Sequence, residues 1–173
     1  MQPSEQELIA HSLEHDADAY GQLVERYKRA IYRRCFALLR DEDAAEDIAQ
    51  ETFIAAYYKL ASFDQSKKLS TWLFKISTNK CLDVLRSRKR FVDDELAIQK
   101  MVAPSSYDST RQAEDNEVLM AVTRLDAPQR VAISLYYFEG KTYDEIAEMM
   151  NKPVGSIKGW INRAKKILRK ELA

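Results

Sequence analysis

Apolar side chains recur every three to four positions along most of the 173-residue chain, which is the spacing of amphipathic helices. The longest such pattern spans Asp16 to Arg40, and a second runs from the acidic residues 41–43 towards Leu60. A third helix is expected after Ser70, which is a good cap. No stretch alternates between apolar and polar residues as a half-buried strand does. Four shorter helical patterns follow near 114–124, 127–138, 142–150 and 154–170.

The segment APSSYDST at 103–110 interrupts this periodicity. It combines proline, serine and aspartate without helical spacing, as linkers do. We therefore expect an all-α protein with two small helical domains, residues 1–92 and 114–173. A flexible acidic linker, residues 93–113, would join them.

Charge is segregated along the chain, although 27 Lys and Arg residues balance 27 Asp and Glu residues. Residues 1–66 carry a net charge of −6, residues 67–90 carry +7, residues 91–151 carry −7, and residues 152–173 carry +6. Each cationic segment is dense enough to neutralise a polyanion, while the acidic segments limit nonspecific association. The alternative is that both are the solvated faces of ordinary helices.

Composition excludes several classes of protein. Cys35 and Cys81 belong to no disulfide framework or CxxC motif, as expected in a reducing compartment. The first residues lack the cationic and apolar blocks of a signal peptide. The longest apolar stretch, at 131–138, is too short to cross a bilayer. We expect a cytoplasmic protein, monomeric when free, with no membrane insertion.

Residues 141–170 have the pattern of two helices joined by a tight turn. Gly140 can end the preceding helix, and Thr142 with Glu145 makes a T-x-x-E capping box. A break at 151–153 precedes a last helix with one apolar and one cationic side. This is the helix-turn-helix design, whose second helix enters the major groove of DNA. A plain helical hairpin is the alternative. The outer face carries Ser156, Lys158, Asn162, Arg163, Lys166, Arg169 and Lys170.

One face of the second predicted helix mixes acidic and apolar side chains. A solvated face seldom needs isoleucine and tyrosine among its acids, so the mixture suggests a protein partner, with a solvated face as the alternative. The face consists of Asp43, Asp47, Gln50, Glu51, Ile54 and Tyr58.

Basic and aromatic residues are interleaved in the loop at 63–69 and the helix after it. Single-stranded nucleic acid needs cations for its phosphates and a pocket for an unstacked base. Trp72 could instead belong to the core. Leu73, Ser77, Cys81, Val84 and Leu85 are expected to face inward. Another side of this helix carries Trp72, Ile76, Asn79, Asp83 and Arg86, flanked by Lys75 and Lys80.

Together, in this order, these segments resemble the bacterial RNA polymerase sigma factors of the extracytoplasmic-function (ECF) group, in the sigma-70 family. The resemblance rests on AAEDIAQETF at 44–53, FDQSKKLSTWLFKISTNKCLDVLRSRKR at 63–90, and KTYDEIAEMMNKPVGSIKGWINRAKKILRK at 141–170. It implies that residues 1–92 are sigma region 2 and that 114–173 are region 4. The implied function is transcription initiation, with no catalysis, cofactor or metal.

The resemblance also implies three sets of contacts. Asp47, Gln50, Glu51 and Phe53 would bind the clamp helices of the largest polymerase subunit. The minus-ten element would be opened and held by Phe63, Lys67, Lys68, Trp72, Asn79, Lys80, Arg86 and Arg88, with Asn79 reading a flipped base and Lys89 and Arg90 adding phosphate contacts. The minus-thirty-five element would meet Ser156, Lys158, Gly159, Asn162, Arg163 and Lys166. Further implied partners are the polymerase flap and an anti-sigma factor.

The chain departs from the ECF pattern in its last helix. After the turn PVGS the group usually has a basic residue, then Ser, then Arg, whereas this chain has Lys158, Gly159 and Trp160. We therefore expect a related but shifted promoter preference.

The acidic linker carries a separate expectation. Its carboxylates are expected to place negative charge where polymerase accommodates nascent RNA. The residues concerned are Asp93, Asp94, Glu95 and Asp108.

Two other functions fit parts of the sequence. His11, Glu14 and His15 spell H-x-x-E-H, a zinc-peptidase pattern, although no third ligand or cleft is marked nearby and two exposed histidines on a short helix are the alternative. A stand-alone helix-turn-helix regulator would explain residues 141–170. It would leave the acidic face and residues 72–90 unexplained, and it would normally require dimerisation.

Overall fold

The computed structural model describes residues 2–91 and 113–173, and every regular element within these ranges is helical. The helices are α1 (Glu5–Leu13), α2 (Ala17–Leu39), α3 (Glu42–Lys59), α4 (Leu69–Phe91), α5 (Ala113–Thr123), α6 (Ala127–Tyr137), α7 (Tyr143–Met150) and α8 (Val154–Glu171). A 3-10 turn at Leu60–Ser62 follows α3. The prediction of an all-α protein with two helical domains is confirmed. The four linker carboxylates named above lie outside the described residues.

Helix α2 is the centre of the amino-terminal domain and packs against α1, α3 and α4. Its apolar positions place Ile31 and Cys35 fully inside. Cys81 of α4 is equally buried, and both cysteines are free thiols. The hydrogen bond to Cys35, together with burial, raises the pKa of the Cys81 thiol. The Cys81 thiol therefore stays protonated at neutral pH, and both buried cysteines act as part of the apolar packing between α2 and α4.

A hydrogen bond sets the position of α3 along α2. The hydroxyl of Tyr20 donates to the backbone carbonyl of Phe53. Burial, with a smaller effect from Tyr57, raises the pKa of Tyr20 to about 12, so the hydroxyl keeps its proton and remains a donor. The Tyr20 and Tyr57 rings also meet edge to face, with centroids 5.0 Å apart.

The start of α3 is tied to the end of α4 through Asp41. Its carboxylate accepts the N–H of Ala44 at 3.0 Å, which is an N-cap, and also accepts Nη2 of Arg88 at 2.6 Å. The Ala44 N–H lowers the pKa of Asp41; burial opposes this shift, and Arg88 lowers the pKa further. One side chain therefore orients both helices that carry the amino-terminal candidate site.

The carboxy-terminal domain is built around α6, where the side chains from Val131 to Leu135 are buried. Helix α8 adds Ile157, Ile161 and Ala164, which have no exposed surface. The capping box of α7 is present: Thr142 Oγ1 accepts the N–H of Glu145 at 3.2 Å, and Glu145 Oε2 accepts the N–H of Thr142 at 2.8 Å. The helix-turn-helix prediction is confirmed.

Two residues with left-handed backbone allow the tight turns on either side of α7. Gly140 has φ +62° and Asn151 has φ +51°. Glycine and asparagine tolerate this region better than other residues, which explains why the chain reverses here within few residues. None of the described helices combines the length and apolarity needed to cross a bilayer.

We expect Asp41→Ala to lower the free energy of unfolding by about 1 kcal/mol, because α3 loses its N-cap and Arg88 loses its partner. Urea denaturation at neutral pH measures this. Asp41→Asn is the matched control: its amide oxygen can still cap α3, so the remaining loss isolates the Arg88 ion pair, about 0–1 kcal/mol at this half-exposed site. Because the pKa of Asp41 is lowered on folding, the stabilisation is present at neutral pH and disappears as pH falls through the folded-state pKa. Equal stability of wild type and Asp41→Ala would contradict the role of Asp41 as N-cap of α3 and partner of Arg88.

Candidate functional site

One face of α3 is acidic, apolar and open to solvent. Ile54 is 58% exposed and Tyr58 is 81% exposed. Asp47, Gln50 and Glu51 are exposed beside them, while the opposite side of the helix is buried against α2. An isoleucine and a tyrosine this exposed among carboxylates form a surface suited to a protein partner. We call Asp47, Gln50, Glu51, Ile54 and Tyr58 the docking face.

Phe53 differs from the other residues assigned to this contact. Its side chain is only 8% exposed and belongs to the core, where its carbonyl accepts the Tyr20 hydroxyl. Phe53 therefore supports α3 from inside, and the residues available to a partner are its exposed neighbours. Ile54 is the apolar residue that reaches the surface in its place.

The docking face adjoins the predicted minus-ten surface on α4. Lys80 of α4 forms an ion pair with Glu51 of α3, with Nζ and Oε2 3.1 Å apart. Both side chains remain partly exposed, so the pair adds little stability by itself. The ion pair does, however, place a basic side chain of α4 directly beside the acidic docking face of α3.

An aromatic pair forms the base of the loop before α4. The rings of Phe63 and Trp72 have centroids 5.1 Å apart, with Phe63 buried and Trp72 half-buried. In the loop, the Asp64 carboxylate accepts both the N–H and the hydroxyl of Ser66, which closes a tight turn. Lys67 and Lys68 are exposed on that turn. Trp72 thus packs against the core with one part and leaves the other accessible.

The remaining predicted minus-ten residues occupy two environments. Asn79 and Arg86 are exposed on α4, and Arg86 Nη1 lies 3.0 Å from Asp83. Arg88 is held by Asp41 at the far end of the helix. The side chains of Lys89 and Arg90 lie outside the described residues.

Helix α8 presents Lys158, Asn162, Arg163 and Lys166 to solvent, while Ser156 and Gly159 are half-exposed. An added Cβ at Gly159 would lie 3.7 Å from Nη2 of Arg163, so the Arg163 side chain passes beside the glycine at ordinary contact distance. Trp160 is half-buried and packs against the core.

An apolar groove between α5, α6 and α8 was missed by the sequence analysis. Tyr137, Phe138 and Leu172 are exposed along it. Lys165 and Arg169 of α8 stand at its edge, and Lys165 Nζ lies 4.8 Å from the ring centroid of Tyr136. The available signal was the run of aromatic residues 136–138, which continues the apolar pattern of α6 past the point where that helix ends. We call this surface the α5–α6–α8 groove.

The H-x-x-E-H residues lie at the surface. His11 Nδ1 is 3.9 Å from Glu14 Oε2, and both side chains are largely exposed. Within residues 2–91 and 113–173, no three His, Cys, Asp or Glu side chains are grouped to hold a metal ion.

Comparison with known proteins assigns both domains. Residues 23–91 match the family model Sigma-70 region 2, and residues 115–168 match Sigma-70, region 4. The chain is 37% identical to the ECF RNA polymerase sigma factor SigW of Bacillus subtilis, over 91% of this chain and 90% of that protein. It is 31% identical to SigM of the same organism, over 86% of this chain and 91% of that protein.

Solved structures give the same assignment. The sigma factor RpoE of Bartonella quintana, in complex with the anti-sigma factor NepR, has a TM-score of 0.58 at 29% identity and covers 88% of this chain and 96% of its own. CnrH, in complex with the cytosolic domain of CnrY, has a TM-score of 0.53 at 26% identity and covers 95% of this chain and 94% of its own. The fold, the DNA-reading helix pair and these matches define a promoter-specific transcription initiation factor. The chain belongs to the ECF group of sigma-70 family RNA polymerase sigma factors.

We expect Gly159→Ala to raise the free energy of unfolding by about 1 kcal/mol, because alanine restricts the unfolded chain and the new methyl group meets Arg163 only at contact distance. Thermal and urea denaturation measure the change. Gly155→Ala, in the first turn of the same helix with open space around it, is the matched control and should gain less. Destabilisation at residue 159 alone would show that Arg163 requires the space beside the glycine.

Proposed function

We propose that the docking face of α3 binds the clamp helices of the largest subunit of core RNA polymerase through Asp47, Gln50 and Glu51. The observation that carries this proposal is the exposure of Ile54 and Tyr58 among those acidic and amide side chains. A helix with no partner would gain by burying such residues or by replacing them with polar ones. A stand-alone regulator has no use for this face, so that alternative is not favoured.

The loop at 63–69 and helix α4 open the minus-ten element in this proposal. Lys67 and Lys68 meet phosphates, and Asn79 reads a base that has left the stack. Unstacking costs a few kcal/mol, which contacts in a partly apolar pocket must offset. The half-buried Trp72, backed by Phe63, supplies an aromatic surface of the required kind. The Lys80–Glu51 contact supports the arrangement, since it sets the polymerase surface and the melted strand side by side.

The remaining minus-ten residues named in the sequence serve the phosphates. Lys80 and Arg86 are partly or fully exposed, and Arg88 would have to release Asp41 or share it. Because such contacts are electrostatic, they contribute affinity and position rather than sequence choice.

Helix α8 reads the minus-thirty-five element in the major groove. Asn162 and Arg163 have the side chains that pair with base edges, and Lys158 and Lys166 suit phosphates. Ser156 and Gly159 lie close to the backbone of the bound DNA. Since Trp160 packs inward and Gly159 has no side chain, two backbone contacts usual in the group are lost, and we propose a shifted promoter preference.

The α5–α6–α8 groove receives the polymerase flap. Its exposed aromatic floor fits an apolar segment, and the cationic rim of Lys165 and Arg169 fits acidic flanks. An anti-sigma factor is a second proposed partner, supported by the structure of the similar sigma factor RpoE in complex with the anti-sigma factor NepR. We further propose a cytoplasmic, non-catalytic protein divided into residues 1–92, 93–113 and 114–173.

Reversing charge on the docking face should weaken binding to core polymerase at least tenfold, equivalent to about 1.4 kcal/mol. The variant is Asp47→Lys with Glu51→Lys, and fluorescence anisotropy of the labelled protein against core enzyme measures affinity. Glu46→Lys is the control, because Glu46 is exposed on the same helix about 100° away from Asp47. An unchanged affinity for the double variant, with normal helicity, would refute the docking proposal.

Base reading and phosphate binding on α8 should be separable. In holoenzyme bound to promoters selected from a random library, Asn162→Ala should cost about 1–3 kcal/mol at one base pair and relax the choice there. Lys166→Ala should weaken binding to all promoter sequences equally. It should also reduce the slope of log affinity against log salt concentration by about one. If the two variants give the same uniform loss, Asn162 is not a base-reading residue.

A further inference from the structure

Gly159 lies on the outer face of α8, among the residues proposed to meet the minus-thirty-five element. It is half-exposed, and Lys158 and Asn162 beside it are exposed. Its backbone is ordinary helix within Val154–Glu171, so the conformational freedom of glycine is not used here. In the interior of an exposed helix, glycine is less favourable than every other residue except proline. What Gly159 offers the protein is therefore the space that a side chain would fill.

The end of the Arg163 side chain lies over that space. A Cβ placed on Gly159 would be 3.7 Å from Nη2, 3.8 Å from Nη1 and 3.9 Å from Cζ of Arg163. Since the three distances are nearly equal, the planar guanidinium turns one of its faces towards the glycine. A methyl group would meet this face at ordinary contact distance, whereas a side chain branched at Cβ would extend into the volume that the guanidinium occupies.

The course of the Arg163 side chain follows from helix geometry. Side chains of an α-helix point towards its amino terminus, so each residue covers the turn before its own Cα. Gly159 is one turn, about 5.4 Å, nearer the start of α8 than Arg163. The amino-terminal part of a recognition helix is the part that contacts base edges. The glycine thus lets a long cationic side chain reach back towards the part of α8 that reads bases.

The Arg163 guanidinium is available to a base. The single acid of α8 is Glu171, two turns beyond Arg163, and it pairs with Arg124 of the preceding helices at 3.4 Å. No carboxylate in the described parts of the chain forms an ion pair with Arg163. Two parallel N–H donors of an arginine match the O6 and N7 acceptors of guanine in the major groove. Guanine is therefore the base that this side chain is best suited to read.

We propose that Gly159 is a specificity-determining residue: it leaves the space in which Arg163 lies back along α8, and from there Arg163 reads a guanine of the minus-thirty-five element. This proposal rests on the proposed function, which makes α8 the helix that reads this element. Gly159 is a positioning residue, because it acts through Arg163 and has no side chain of its own. The absence of a side chain at residue 159 thus removes one backbone contact and also extends the reach of a base-reading residue.

Gly159→Ile tests the positioning role. Isoleucine branches at Cβ and fills the space beside the backbone, while its cost to an exposed helix is no larger than that of glycine. Holoenzyme made with each variant is bound to promoters with a randomised minus-thirty-five element, and sequencing of the bound DNA gives the preference at every base pair. Arg163→Ala identifies the base pair that Arg163 reads, as the one where the preference for guanine falls about fivefold or more. Gly159→Ile should lower the guanine preference at that same base pair about fivefold or more. Gly159→Ala should retain it, because a methyl group fits.

A double variant shows whether the two residues act together. If Gly159 acts through Arg163, Gly159→Ile with Arg163→Ala should have the base preference of Arg163→Ala alone, because both changes remove the same contact. Gly155→Ile is the matched control, since a Cβ at Gly155 meets open space one turn earlier. It should leave the guanine preference at the Arg163 base pair unchanged, whatever its effect on overall affinity. Should circular dichroism show that Gly159→Ile loses helicity, Gly159→Leu carries the same expectation with a better helix former.

The results separate this proposal from the proposed function. If Arg163→Ala relaxes one base pair and the folded Gly159 variant with a large side chain keeps the preference there, only the positioning role of Gly159 is overturned. That role is also overturned if Gly159→Ile and Arg163→Ala change different base pairs, because the two residues then act independently. If Arg163→Ala changes no base pair, the base-reading role of Arg163 in the proposed function fails, and the positioning proposal fails with it.

Discussion

The packing of α3 and α4 against the central helix α2 determines which side chains of both helices reach solvent. Ala45, Ile48 and Leu73 point inward because α2 offers an apolar surface around Ile31 and Cys35. The opposite sides of α3 and α4 therefore face solvent. The exposed side of α3 carries carboxylates, and that of α4 carries basic side chains. Because the two helices are held by one core, the acidic docking face of α3 and the basic side of α4 become neighbours, and the Lys80–Glu51 and Arg88–Asp41 ion pairs join the two helices.

The same constraint governs the other domain. Ile157, Ile161 and Ala164 bury one side of α8, so its amide and cationic residues must face outward. In the proposed function, each of the two DNA-reading surfaces is small and contributes modest affinity. Holding both on one polymerase raises their effective concentration towards a single promoter without new contacts.

Helical periodicity predicts the helices well here because nearly every described helix buries one side and exposes the other to solvent. The capping box of α7 and the turn before α8 follow from local sequence alone. Helical periodicity did not place Phe53 on the exposed face of α3; only the resemblance to the ECF group assigned it to the polymerase contact, and its side chain lies in the core. The α5–α6–α8 groove depends on how distant helices meet. No local pattern encodes a contact between residues so far apart in the chain.

The central claim is that this sigma factor reads a promoter only when core polymerase holds both domains on it. Footprinting of a selected promoter, with and without core enzyme, tests this most directly. The account predicts little protection by the protein alone and protection of both the minus-ten and minus-thirty-five elements once core enzyme is added. Strong protection by the protein alone, unchanged by polymerase, would contradict it.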